Sequence, residues 1–127
     1  MSRILNPTKR LFCRSEDITA ERIASVEGMT EQGDVSVKVL HVGDETLTLE
    51  VVRKKGLIDP LHRHDDHESI GYLLEGRLKL VIGGEEFIAG PGSSWRHPVG
   101  VDHYSEALTD CRQIEVKSPP RKTWTSA

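Results

Sequence analysis

Long apolar runs are missing from this sequence. With hydrophobic residues at only 36%, no stretch approaches the ~20 apolar residues that a membrane-spanning helix needs, so no membrane partner is expected. Cysteine is scarce as well. Cys13 and Cys111 stand far apart and in no C-x-x-C pair, which leaves neither a disulfide framework nor a cysteine zinc site. They read as buried or idle thiols. The N-terminal stretch is basic at first, yet lacks the apolar core and small-residue cleavage site of a secretory signal, and a cytoplasmic location is the expectation. Excess charge of one sign is absent too: 17 Lys and Arg stand against 20 Asp and Glu. The cations are scattered and form no stripe to track phosphates, so no nucleic-acid partner is expected. The one basic run, Arg53-Lys54-Lys55, closes an alternating apolar stretch and reads as a solvated strand end. Small-molecule chemistry is what these absences leave.

At 127 residues the chain closes one hydrophobic core. From residue 35 onward it breaks into short segments rich in Val, Leu and Ile, each bounded by Gly, Asp or Pro, which is the signature of successive strands. Strands are expected over 35–42, 46–53, 69–74, 77–82, 85–89, 93–97, 103–108 and 111–117. Tight links such as Glu75-Gly76 and Gly83-Gly84 permit antiparallel pairing and exclude parallel pairing, which needs long crossovers. The fold class is therefore all-β, a sandwich or barrel over residues 31–127. Residues 1–30 differ: 15–26 has the makings of a short capped helix, and the remainder is an arm, read either as a leader or as an added strand against a neighbouring subunit.

The informative stretch is Pro60-Leu61-His62-Arg63-His64-Asp65-Asp66-His67-Glu68. Positions i and i+2 of an extended chain point the same way, so His62 and His64 present two imidazoles to one face. Glu68 shares their parity and is the expected carboxylate ligand after a turn through Asp65-Asp66. Nitrogen donors with one carboxylate suit Fe, Mn, Ni, Zn, Co or Cu rather than calcium or magnesium. A further ligand must come from elsewhere, and His103, after a turn, is the best candidate. His41, His67 and His97 read as solvent-facing or supporting groups, with His67 placed where a small loop shift would let it stand in for Glu68.

These residues resemble the two motifs of the cupin superfamily across 56–103. The first has the form G-x5-H-x-H-x3,4-E-x6-G. Gly56, His62, His64 and Glu68 fall on it, and Gly76 closes it one residue late. The second, in its looser form, is met by Pro91-Gly92, Pro98, Gly100 and His103, with Ser93 in place of the usual Asp and no Asn at the strict spacing. The resemblance implies a double-stranded β-helix (jelly-roll) barrel, one divalent transition metal ion held by His62, His64, Glu68 and His103, and a homodimer paired through sheet edges.

On the last strand Cys111, Gln113, Glu115 and Lys117 share one face, and Arg112, Ile114 and Val116 the other. Pattern alone favours Ile114 and Val116 filling the core. A polar face turned inward makes Gln113, Glu115 and Lys117 substrate contacts or acid-base groups. The ending Ser118-Pro119-Pro120-Arg121 is similar to the S-P-x-R tail of small cupins that open the ring of unsaturated uronic acids. That likeness implies a proton-handling role for Glu115 and carboxylate recognition by Arg121, whose fork suits it. Two positions depart from the group, which commonly has Gln where Glu68 stands and an aromatic where Lys117 stands. The leading expectation is a metal-dependent enzyme acting on a small oxygen-rich acid by isomerisation or ring opening. A metal-dependent dioxygenase on an enol, diketone or thiol, and a non-catalytic small-ligand binder, remain as alternatives.

Overall fold

A computed structural model describes residues 3–127. Its strands, in chain order, are β1 (Arg3–Ile4), β2 (Glu21–Val26), β3 (Met29–Thr30), β4 (Val35–Val42), β5 (Leu47–Arg53), β6 (Ile58–His62), β7 (Glu68–Glu75), β8 (Leu78–Ile82), β9 (Glu85–Ala89), β10 (Ser94–His97), β11 (His103–Ala107), β12 (Cys111–Ser118), β13 (Arg121–Lys122) and β14 (Trp124–Ser126). The larger sheet runs β10-β7-β12-β5-β4-β2-β14, with β3 beside β2; the smaller runs β6-β11-β8-β9; β1 pairs with β13. Every pairing is antiparallel. Among the described residues no helix is long and apolar enough to cross a membrane.

Alternation drives this arrangement. Val35 and Val37 on β4, Leu47, Leu49 and Val51 on β5, and Leu78 and Leu80 on β8 are buried, because every second side chain of a strand meets the same face. Two sheets that each bury one such face close on each other as the two curled halves of a β-barrel. Glycine is required where the chain comes closest to itself. A Cβ at Gly76, which lies at φ +97, would stand 2.2 Å from the Asp110 carbonyl oxygen, and a Cβ at Gly71 would stand 2.4 Å from the Trp95 ring.

All eight expected strands are present, with ends shifted by at most one residue. The expected helix over 15–26 is not. Only Ser15–Asp17 makes a single 3-10 turn, and Glu21–Val26 extends as β2 and pairs with β4 and β14. Burial of Ile23 against the core outweighs a weak local helical preference. The stretch expected as an arm thus contributes a hairpin to the larger sheet; Met1 and Ser2 lie outside the described residues. Strand β6 escaped the sequence reading because Pro60 interrupts it. It sits at the edge of the smaller sheet, where a missing N–H does no harm.

Candidate metal centre

Strand β6 and its extension carry two of the expected ligands, and β11 the third. The β6–β11 ladder sets His62 directly opposite His103, and their Nε2 atoms lie 3.1 Å apart. His64 continues the inward parity of His62. The three rings are buried and offer one nitrogen each within 4.8 Å of the others. Each is oriented from its far side. His62 Nδ1 contacts the Pro60 carbonyl oxygen at 2.7 Å, His103 Nδ1 the Val101 carbonyl oxygen at 3.3 Å, and His64 Nδ1 a carboxylate oxygen of Glu27 at 3.1 Å. Acceptors on Nδ1 hold the proton there and turn the Nε2 lone pair inward.

Burial disfavours the charged form of His64 and His103. Desolvation, reinforced by neighbouring His62, lowers His103 to about 4. Desolvation and the Lys117 ammonium push His64 down further. Three buried imidazole nitrogens within reach of one another form a donor set that fits a divalent transition ion. Three protein donors alone would not fill the coordination of such an ion.

Glu68 is the member of the expected ligand set that the structure does not bring to this cluster. It begins β7 with its side chain exposed. The bend at Asp65-Asp66 shifts the parity: His62 and His64 face inward before it, and His67, Ser69, Gly71 and Leu73 after it. The inward position nearest Glu68 is therefore Ser69, the place that the four-residue spacing of the first motif reaches, and from Ser69 the closing Gly76 falls at its stated distance. Ser69 Oγ lies 3.2 Å from His97 Nδ1.

His67 and His97, read as solvent-facing or supporting groups, are both buried, at 1% and 7% exposure. His97 stacks on His103 with ring centroids 3.7 Å apart, which supports that ligand from the side; desolvation and its neighbour His103 lower it to about 2. His67 Nδ1 is held by Asp66 at 2.8 Å, and its ring lies 4.3 Å from that of His64. The Nε2 atoms of His67 and His97 have no hydrogen-bond partner among the described residues.

The cavity around the centre encloses about 50 Å³. One wall is apolar and comes from four neighbouring strands of the larger sheet: Ile23 and Val26, Val35 and Val37, Leu49 and Val51, and Trp124. The rest is polar: the histidines with Glu31, Arg53, Asp59, Glu115 and Lys117. The last full strand, β12, thus turns its polar face inward, against the expectation that Ile114 and Val116 fill the core. Lys117 is 3% exposed, and its Nζ lies 3.8 Å from a Glu115 carboxylate oxygen. Gln113 is also inward but stands behind the cavity wall, where its amide oxygen accepts from Arg53 Nε at 2.9 Å. Arg121 lies outside the cavity lining, 3.5 Å from Asp66.

Arg53, expected at a solvated strand end, is instead buried and also donates to Ser105 Oγ at 3.1 Å; Lys54 and Lys55 are exposed as expected. Close by, burial together with a hydrogen bond and the charge of Asp59 raises Glu31 to about 9. Glu27, Glu31, Arg53 and Asp59 escaped the sequence reading. Asp59 alone carried a usable signal, a charged residue on the strand that delivers His62.

Comparisons with known proteins agree with this fold. The family model described as "Cupin domain" matches residues 48–116. The pectin degradation protein KdgF of Dickeya dadantii (strain 3937) is 33% identical over 66 residues, which cover 51% of this chain and 60% of that protein. The match thus spans less than two thirds of the curated relative. The structure of KdgF from Halomonas sp. superposes with a TM-score of 0.67 at 26% identity, over 69% of this chain and 81% of that one. An RmlC-like cupin from Shewanella frigidimarina NCIMB 400 superposes with a TM-score of 0.80 at 23% identity, over 93% and 97%.

Proposed function

Since this chain belongs to the cupin domain family, we propose that it is a metal-dependent enzyme acting on a small oxygen-rich acid, with an unsaturated uronate as substrate and ring opening or isomerisation as the reaction. The observation that carries this reading is the meeting of Lys117 and Glu115 with His62, His64 and His103 around one small cavity. The name of the Dickeya relative, a pectin degradation protein, points to the same substrate class.

His62, His64 and His103 would hold the ion, which when bound polarises a carbonyl or hydroxyl oxygen of the substrate as a Lewis acid. The Lys117 ammonium, desolvated among neutral histidines, fixes a carboxylate where the likeness would place an aromatic. Glu115 moves the proton between oxygen and carbon, held in position by its pairing with Lys117. Arg121, beside Asp66, meets the acid at the mouth rather than in the cavity, and Gln113 acts by holding Arg53. The ion belongs to the set Fe, Mn, Ni, Zn, Co or Cu.

The apolar wall favours a second reading, a dioxygenase, because an enol or diketone would pack against Leu49, Val51 and Trp124. One experiment separates the two. The metal-loaded protein is incubated with a 4,5-unsaturated uronate, with and without oxygen, while the unsaturated chromophore and dissolved oxygen are followed. Loss of the chromophore independent of oxygen supports the proposal; no turnover of any sugar acid, with oxygen uptake on a diketone, supports the second reading.

A further inference from the structure

We propose that Glu27, on the turn between β2 and β3, is a positioning residue of the metal centre: its carboxylate accepts the His64 Nδ1–H and thereby aims His64 Nε2 at the ion. The inference rests on the reading of the three-histidine centre and assigns it a fourth, non-ligating participant from outside the barrel motifs.

Three observations meet at this residue. Among the described residues Glu27 is the one non-glycine with a positive φ, at 51°, and Gly28 follows at 77°. A two-residue hairpin turn with both angles positive favours Asn, Asp or Gly at its first position. Turn chemistry therefore does not account for a glutamate there, and an outlier of this kind points to a role for the side chain. The backbone is pinned in place, because Glu27 N–H donates to the Thr123 carbonyl at 2.8 Å. From that fixed point the carboxylate spans from a partly exposed position, 22%, to a His64 side chain that is 3% exposed.

The contrast with the other two ligands sharpens the argument. His62 and His103 each find their acceptor two residues away, on a backbone carbonyl. His64 finds none locally and takes a charged one 37 residues distant in the sequence. A carboxylate on Nδ1 fixes the tautomer more firmly than a carbonyl and raises the basicity of the ligating nitrogen.

Glu27, His64 and His67 also lie close enough to form a small donor cluster of their own. Were an ion held there through His64 Nδ1, that ring would have to bind metal at both nitrogens. The hydrogen bond makes no such demand.

The test uses the full chain and cobalt(II), titrated against a competing chelator and followed by its visible absorption. Four proteins are compared: the unaltered chain, Glu27→Gln, Glu27→Asn and His62→Ala. Asn suits the positive φ but is one methylene too short to reach His64, whereas Gln reaches without charge. The expected result is one ion per chain, lost in His62→Ala. Affinity falls roughly 10- to 100-fold in Glu27→Asn with an altered cobalt spectrum, and by a smaller factor in Glu27→Gln. The ion-free Glu27→Asn protein melts no lower than the unaltered one. Unchanged affinity and spectrum in both Glu27 variants, with the ion still lost in His62→Ala, overturns the proposal and leaves the centre standing. Two ions per chain, one of them lost in Glu27→Asn, overturns it by making Glu27 a ligand. No ion in the unaltered chain overturns the centre and this proposal together.

Discussion

His62 Nε2 and His103 Nε2 face each other at 3.1 Å while carbonyl oxygens occupy both Nδ1 sides. In the ion-free chain one Nε2–H can donate to the other; with both protons on Nδ1, both Nε2 lone pairs are free for an ion. The ladder that pairs β6 with β11 enforces the approach, so the two nitrogens are already placed to share an ion.

Metal should therefore stabilise the fold. An ion that binds only the native state adds about 2.7 kcal/mol at a free concentration 100 times its dissociation constant. Thermal unfolding with and without a divalent transition ion should show a higher midpoint in its presence, and a chelator should reverse the shift. His62→Ala should show no metal-dependent shift.

Glu68→Ala should leave metal content unchanged and alter stability by no more than about 0.5 kcal/mol, as an exposed substitution does. Its side chain faces solvent from β7. Elemental analysis of the variant checks this; loss of metal would mean that Glu68 turns inward when the ion arrives.

Under the proposed reaction, Glu115→Gln should lower turnover of an unsaturated uronate by roughly 100-fold or more and retain the ion. Lys117→Met should act mainly on KM, because it removes the cation that meets the carboxylate while the hydrophobic stem is kept. Steady-state kinetics at matched metal content distinguishes the two effects.

The ion-free protein should be most stable near pH 7. His103 titrates at about 4 and His97 at about 2 in the folded state, below the ordinary histidine value of about 6.5. Between 6.5 and 4 the unfolded chain binds protons that the native chain refuses, so stability falls as pH drops through that window. Glu31 has the opposite sign. It keeps its proton to about 9 when folded and loses it above about 4.5 when unfolded, so its contribution falls as pH rises from 4.5 to 9; the histidines outweigh it below about 6.5, and above 7 it sets the slope. Urea midpoints across pH should trace this dome, and Glu31→Gln should flatten its alkaline side.

Gly76→Ala should destabilise the barrel by about 1–3 kcal/mol, since the added carbon meets the Asp110 carbonyl at 2.2 Å and the backbone lies at φ +97.

Much of this molecule is legible in its sequence. The alternation of Val35 and Val37, and of Leu47, Leu49 and Val51, states which faces are buried, and Gly at the turns states where the strands end. The pair His62 and His64 is legible by the same period of two. That period fails at the first irregularity. One bend at Asp65-Asp66 moves the inward face from even to odd numbers, and Glu68 exchanges places with Ser69. Strand β12 misled for another reason: a polar face can be buried when it lines a cavity, and local pattern does not distinguish a cavity from solvent. Glu27, Glu31 and Arg53 reach the site through long-range pairing of β2, β3 and β5, which no local signal announces.

The three-histidine centre underlies every step of the proposed chemistry. Metal per chain should be counted, and the element named, in the purified protein beside a His62→Ala, His103→Ala double variant. Close to one divalent transition ion per chain in the first and none in the second is the predicted result. If both proteins remain metal-free after exposure to several divalent ions, the centre is not a metal site, and the barrel is better explained as a binder of small ligands.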